Sequence, residues 1–237
     1  HGMLTNPSTP WFTLRFKDVE IDNEDEAKLW LEASTEAMYT AFNRSNFQQE
    51  IFELYHDLIT FGTAAMFIEE DEEDFIKFST RHIDEVYIAE NDKGRIDTIY
   101  RRFNLSARAV VQKFGTAVSQ DILVLEKKDP YKEVEIVHAV YPRADFNPTK
   151  KDKKNMPFES VYMEYKNGNE LSVSGFKEFP FVVPRYLKAS HEIYGRSPAM
   201  TALPDVKMLN EMVKTTIKAA QKQVDPPLLV PDDGFLL

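Results

Sequence analysis

The chain has 237 residues, 43% apolar and 29% charged, with a formal net charge of −10 and a pI near 5.1. Such a composition belongs to a globular protein, and its acidity argues against a tight grip on nucleic acid, which usually takes a basic surface. The lack of cysteine excludes disulfides, thiolate nucleophiles and cysteine-ligated zinc or iron–sulfur sites, and no apolar run reaches the ~18 residues a membrane span needs.

His1-Gly2-Met3 reads as an engineered start, and no basic, apolar and small-residue leader pattern follows it. Cysteine-free composition fits a chain folded in the cytosol. Trp11 to Phe16 alternates as a short strand does. The acids from Asp22 to Glu26 open a helix that continues through Leu29, Trp30, Ala33, Ala37, Met38 and Phe42. Ser45 and Gln48 form a capping box for a second helix carrying Ile51, Phe52, Tyr55, Leu58 and Ile59, stopped by Gly62. Trp30, Phe52 and Tyr55 are expected in the core.

Short strands follow. Thr63–Ile68 and Phe75–Phe78 flank the acidic run Glu69 to Asp74, read as a solvated turn. Ile83–Ala89 and Ile96–Phe103 flank the turn residues Asn91 to Gly94. Helices are predicted over Ser106–Phe114, ended by Gly115, and over Ser119–Glu126. Tyr131–Tyr141 alternates with Val134, Ile136, His138 and Val140 on one face. After a polar linker containing Lys150, Lys151, Lys153 and Lys154, Val161–Tyr165 and Leu171–Phe176 flank the hairpin signal Asn167-Gly168. Phe181–Leu187 is extended and broken by Pro184. The order is α+β, with hairpin links and no required parallel crossover.

A Gly195-Arg196-Ser197-Pro198 turn then launches a helix of roughly 20 residues, about 30 Å long, ending at Asp225-Pro226-Pro227. On its wheel Lys207, Lys214, Lys218 and Lys222 share an arc of roughly 80°. Val206, Leu209, Val213, Ile217, Ala220 and Val224 fill a second arc, and Met208, Met212 and Ala219 a third. A helix on a domain's edge carries one apolar stripe. Two stripes beside a basic ridge suit a helix standing between two neighbours, as in a ring around a pore; an ordinary amphipathic helix with a solvated lysine face is the alternative.

Chemistry is sparse. The five histidines show no metal-ligand spacing, and His138 reads as a satisfied core residue. The run Glu69 to Asp74 offers hard oxygen ligands but lacks an EF-hand's glycine and spacing. Neither a phosphate-cradling glycine loop nor a nucleophile elbow occurs. Arg196 and Ser197 put a cation and a hydroxyl at a helix start, where anions bind, although a plain structural turn accounts for them. No catalytic residue, metal ligand or cofactor is therefore assigned.

Several segments carry a resemblance. They are Asn43-Arg44-Ser45-Asn46-Phe47, Tyr55 to Ala64, Ile99 to Arg108 and Val140-Tyr141-Pro142-Arg143. The last group is Tyr194 to Met200, Ala202 to Asp205, Leu209-Asn210 and Val224-Asp225-Pro226-Pro227-Leu228-Leu229. In this order the chain resembles the head-to-tail connector, or portal, proteins of short-tailed, podovirus-type bacteriophages.

The resemblance implies a non-enzymatic fragment of a longer protein: a wing domain over residues 1–200, a stem helix over 201–224 and the start of a clip over 225–237. The remaining clip, second stem helix and crown would lie outside these residues. It implies a dodecameric homo-oligomeric ring at one capsid vertex of the virion, assembled in the host cytoplasm. Double-stranded DNA would pass through it non-specifically during packaging and ejection, with terminase, tail adaptor and capsid or scaffold proteins as partners and no membrane. Together with the wheel, it places Lys207, Lys214, Lys218 and Lys222 toward the pore, and Val206, Leu209, Val213, Ile217, Met208 and Met212 at subunit contacts. Rival expectations are a tail or capsid adaptor without a channel and a metal-dependent hydrolase using the acidic run.

Overall fold

Three helices open the chain in the computed structural model, which describes residues 4–71, 75–150 and 152–226. They are α1 (Val19–Asp22), α2 (Asp25–Arg44) and α3 (Phe47–Phe61). The Asp18 carboxylate accepts the Glu20 N–H at 3.0 Å and caps α1. Helix α3 buries Phe47, Ile51 and Leu54, while Gly62 ends it in the left-handed conformation at φ 80°.

Among the described residues, eight strands form two antiparallel sheets. The smaller has the order β2-β1-β8, from β1 (Ala65–Asp71), β2 (Phe75–Arg81) and β8 (Phe181–Val182). The larger is a meander of β3 (Val86–Glu90), β4 (Ile96–Ser106), β5 (Glu133–Pro142), β6 (Phe158–Glu164) and β7 (Glu170–Phe176). Helices α4 (Ala107–Phe114) and α5 (Gln120–Lys128) are inserted between β4 and β5. Mixed helices and antiparallel sheets make this the expected α+β class, and both hairpin signals turn at positive-φ glycines, Gly94 and Gly168.

Cross-strand partners share a face, so the register sorts the meander's inner face into layers. Ile99, Val140 and Ser160 form one layer, Arg101, His138 and Tyr162 the next, and Phe103, Ile136 and Glu164 the third. The first layer packs on Ala65, Phe67 and Phe181 of the small sheet. The third packs on Ala107, Val110, Val118 and Ile122 of the α4–α5 insertion. The polar middle row therefore separates two apolar cores. A third core joins α3 to Ala64, Met66 and Phe78.

The buried polar residues of these layers, His138, Ser160 and Glu164, are hydrogen-bonded. Glu164, 2% exposed, accepts the Ser119 N–H and hydroxyl, each at 2.8 Å, and an Asn169 amide N–H at 3.1 Å. Its charge thus sits at the positive end of α5. His138 is buried as expected of a core histidine, with Nε2 2.9 Å from Ser160 Oγ and its ring stacked 3.9 Å from that of Tyr162.

Several local expectations are corrected. Residues 11–16 are not a strand. Their backbone finds side chains instead: Tyr39 Oη accepts the Trp11 and Phe12 N–H groups, and Thr35 Oγ1 accepts that of Leu14. The Ser45–Gln48 capping box does not form. Ser45 closes α2, Asn46 turns away to bond both backbone groups of Phe78, and Gln48 Oε1 is buried without a protein partner among the described residues. Glu69, Glu70 and Asp71 are strand, paired in register with Lys77, Ile76 and Phe75, not turn; Glu72, Glu73 and Asp74 lie outside the described residues. Trp30 and Phe52 are surface residues, 60% and 57% exposed, because α2 buries only Leu31 among its side chains and α3 turns Phe47, Ile51 and Leu54 inward.

Candidate functional site

The final helix, α6 (Pro198–Val224), has 27 residues and so a length of about 40 Å. It starts three residues earlier than the expected 201. Pro198 takes the first helical position, where its missing N–H costs nothing, and Ser197 is the cap. Pro204 consequently lies inside the helix, removing the rung to the Met200 carbonyl; the side chains around it are exposed, leaving that carbonyl to water.

A close backbone crossing seats the helix. A Cβ on Gly62 would lie 2.5 Å from Gly195 O and 2.5 Å from Arg196 C, and one on Gly195 would lie 2.3 Å from Gly62 O. Thr63 Oγ1 accepts the Gly195 N–H at 2.7 Å. Ser197 Oγ donates to the Thr60 carbonyl at 2.8 Å and accepts the Met200 N–H at 2.9 Å, tying α6 to the end of α3. Ser197→Ala removes both bonds from a buried site, and a loss of about 1–3 kcal/mol is expected. Urea unfolding should show a lower midpoint at unchanged slope.

The strap leading into this seat is fixed by charge. Arg185 and Lys188 both pair with Glu90 at the β3–β4 turn, the latter at 2.6 Å. Bonds from Lys188 and then Arg185 hold the Glu90 carboxyl below its usual pKa. Arg185 also donates to the carbonyls of Ile193 and Gly94. Arg196 pairs with Glu192 one turn earlier, so the cation at the helix start already has a partner.

Beyond the seat, every residue from Ala199 to Pro226 is exposed. Leu209, Met212 and Ile217 are 59%, 60% and 53% exposed, and Val206, Met208 and Val213 are similarly open to solvent. Lys207, Lys214, Lys218 and Lys222 are exposed too. The body of the chain thus covers neither apolar arc nor the lysine ridge. The ridge also holds a residue that the lysine spacing passed over: Glu211 falls in the same arc and pairs with Lys214 at 3.1 Å. The signal was in the sequence, as an acid three residues before a base. Of the expected clip, Asp225 caps the helix and residues 227–237 lie outside the described part.

Elsewhere, a cleft of about 720 Å³ lies between residues 7–15 and α2. Among the described residues no three histidines or acids come together to hold a metal ion, and no described helix is long and apolar enough to cross a membrane.

A family model described as bacteriophage head to tail connecting protein matches residues 1–236. The chain belongs to this family. Among the connector family's curated proteins it is similar to the "Portal protein" of Salmonella phage epsilon15, 35% identical over 233 residues, covering 96% of this chain and 42% of that protein. It is also similar to the "Probable portal protein" of Bordetella phage BPP-1, 33% identical over 232 residues, covering 96% and 42%. The chain spans less than half the length of these curated relatives. The connector resemblance read from its segments therefore holds along the whole chain.

Proposed function

We propose that this chain is the wing and first stem of a phage portal subunit, with residues 1–200 as wing, 201–224 as stem and 225–237 entering the clip. In the complete protein, copies close into a ring at the capsid vertex of the virion, and DNA passes through it in packaging and ejection. The role is structural rather than catalytic; a terminase motor and tail adaptor proteins dock on the ring. A twelve-subunit ring assembled in the host cytoplasm is the form taken from the family resemblance.

The single observation carrying this reading is a 27-residue helix exposed around its circumference while bearing two apolar arcs. An isolated helix gains little stability without tertiary packing, and exposed apolar patches mark contact surfaces. Val206, Leu209, Val213 and Ile217 meet one neighbour, and Met208 and Met212 the other. Lys207, Lys214, Lys218 and Lys222 face the pore. The Glu211–Lys214 pair weakens the ridge, which suits a channel: each phosphate contact adds salt-dependent affinity, and DNA that must slide cannot be held by many.

These 237 residues contain no cysteine, so a single introduced thiol is a clean reporter once any cysteine elsewhere in the full-length protein has been replaced by serine. In full-length rings, Lys218→Cys carrying a photo-crosslinker should capture threaded duplex DNA, whereas Val213→Cys should be shielded from maleimide and capture none. Equal labelling of the two positions, or failure of full-length protein to close into a ring by native mass, overturns the assignment. A closed ring whose Lys218→Cys never captures DNA would identify the channel-free adaptor.

A further inference from the structure

One strand signal of the sequence is left without a ladder. Along the segment before α1 burial alternates: Phe12 and Leu14 are half-buried, Thr13 and Arg15 exposed. The N–H groups of Phe12, Leu14 and Phe16 go to Tyr39 Oη, Thr35 Oγ1 and Asp22 Oδ1 at 2.7, 3.3 and 3.0 Å. This two-residue period is that of extended backbone, laid along α2 with side chains standing in for a neighbouring strand. In such a segment the main-chain groups of Thr13 and Arg15 point the opposite way. They form no hydrogen bond among the described residues. The result is a short open strand edge, and an open edge is a template for pairing with another chain.

Thr13 and Arg15 also line the cleft of about 720 Å³ against α2. On the helix side its lining runs from Lys28 to Asn43, about 22 Å along the axis, roughly the span of six or seven strand residues. Phe12, Leu14, Leu31 and Tyr39 give the cleft apolar surface. Its charge is acidic. Asp22, Glu32 and Glu36 line it without an ion pair among the described residues, against Arg15 and a Lys28 already paired with Asp25 at 3.6 Å.

We propose that the Trp11–Phe16 edge and the cleft beside it bind an extended, lysine- or arginine-bearing segment of another protein, added as a strand. Main-chain bonds to Thr13 and Arg15 supply the ladder, alternate apolar side chains enter the cleft, and the basic ones meet Glu32 and Glu36. The chain's own lysine-rich stretch does not fit this description, because it is folded into turns. Asn147 Oδ1 accepts the Thr149 N–H at 3.1 Å, and Asp152 Oδ1 accepts an Asn155 amide N–H at 2.7 Å. The partner is therefore a different protein rather than a second copy. This docking edge is independent of the pore and of the contacts proposed for α6.

The experiment titrates the 237-residue protein with capped heptapeptides and follows calorimetric binding and amide hydrogen exchange by NMR. A peptide alternating lysine and valine should bind saturably and protect the Thr13 and Arg15 amides. One alternating glutamate and valine should not bind. One alternating lysine and proline keeps the charge but lacks the donors for a ladder, and should bind at least about tenfold more weakly. Glu32→Lys/Glu36→Lys, at exposed helix positions, should weaken the lysine–valine peptide at least about tenfold. Glu53→Lys/Glu178→Lys makes the same charge change at exposed positions outside the cleft and should bind as the parent does. No binding of the lysine–valine peptide, equal binding of the lysine–proline peptide, or equal binding by the two variants overturns the proposal. Self-association of the parent that the lysine–valine peptide reverses would give the edge to a second copy, and overturns it as well.

Discussion

Gly62→Ala should destabilise the protein by about 2–5 kcal/mol, the sum of a left-handed backbone cost and forced overpacking. Gly62 has φ 80°, and its new Cβ would sit 2.5 Å from backbone atoms of Gly195 and Arg196, neither of which can rotate away. A chain of this size loses roughly 2–4 °C of Tm per kcal/mol, so a drop near 10 °C is expected. Gly168→Ala is the matched control. It has φ 66° with nothing within 4 Å of the added Cβ, so only the conformational cost of about 1–2 kcal/mol remains. Equal losses in the two variants would show that the close crossing contributes nothing. Hydrogen exchange should also show the first turns of α6 losing protection in Gly62→Ala but not in Gly168→Ala.

Acid should unfold this protein in part through His138. Its pKa falls from 6.5 to about 3, chiefly because burial penalises the imidazolium, with Lys113, Arg101 and Arg81 adding repulsion. The unfolded chain therefore binds a proton that the folded chain refuses between those two values. Stability from this group is complete above pH 6.5 and is lost as pH falls toward 3, at about 1.4 kcal/mol per pH unit. The loss reaches roughly 4 kcal/mol near pH 3.5, a large share of a typical 5–15 kcal/mol. His138→Gln keeps a polar partner for Ser160 but cannot titrate. It should be less stable than the parent at pH 8, for lack of the ring stacked on Tyr162, yet lose stability less steeply between pH 6.5 and 4. Parallel pH profiles would refute the burial argument.

Periodicity and turn chemistry made most of the fold legible. Asn167-Gly168, Gly94 and Gly62 each act where their conformational freedom is required, and the helix expected from Ser106 forms over Ala107–Phe114 with Ser106 as its cap. What stayed hidden was set by tertiary partners. Nothing local distinguishes Trp11–Phe16 from a strand; Tyr39, 28 residues from Trp11, takes its hydrogen bonds instead. Ser45 and Gln48 fit a cap by spacing, but Asn46 is drawn off by Phe78, 32 residues away. Trp30 looks like core because it is large and apolar, yet α2 has one buried side chain to spare for the body. For the candidate site, the arcs of α6 could be read from a wheel. The seat of α6 could not, since Gly62 and Gly195 are 133 positions apart and only the folded chain brings their backbones together. The polar row of Arg101, His138 and Tyr162 was equally invisible, because its members come from three separate strands.

The rod is clamped near one end, where two glycine backbones leave no slack, and is uncovered beyond. It will therefore behave as a lever. A tilt of about 5° at the seat would swing the far tip of a 40 Å helix by roughly 3.5 Å. Small rearrangements in the strap from Arg185 to Ser197 would be magnified at the tip, and a push on the tip would arrive at the Glu90 charge cluster as torque.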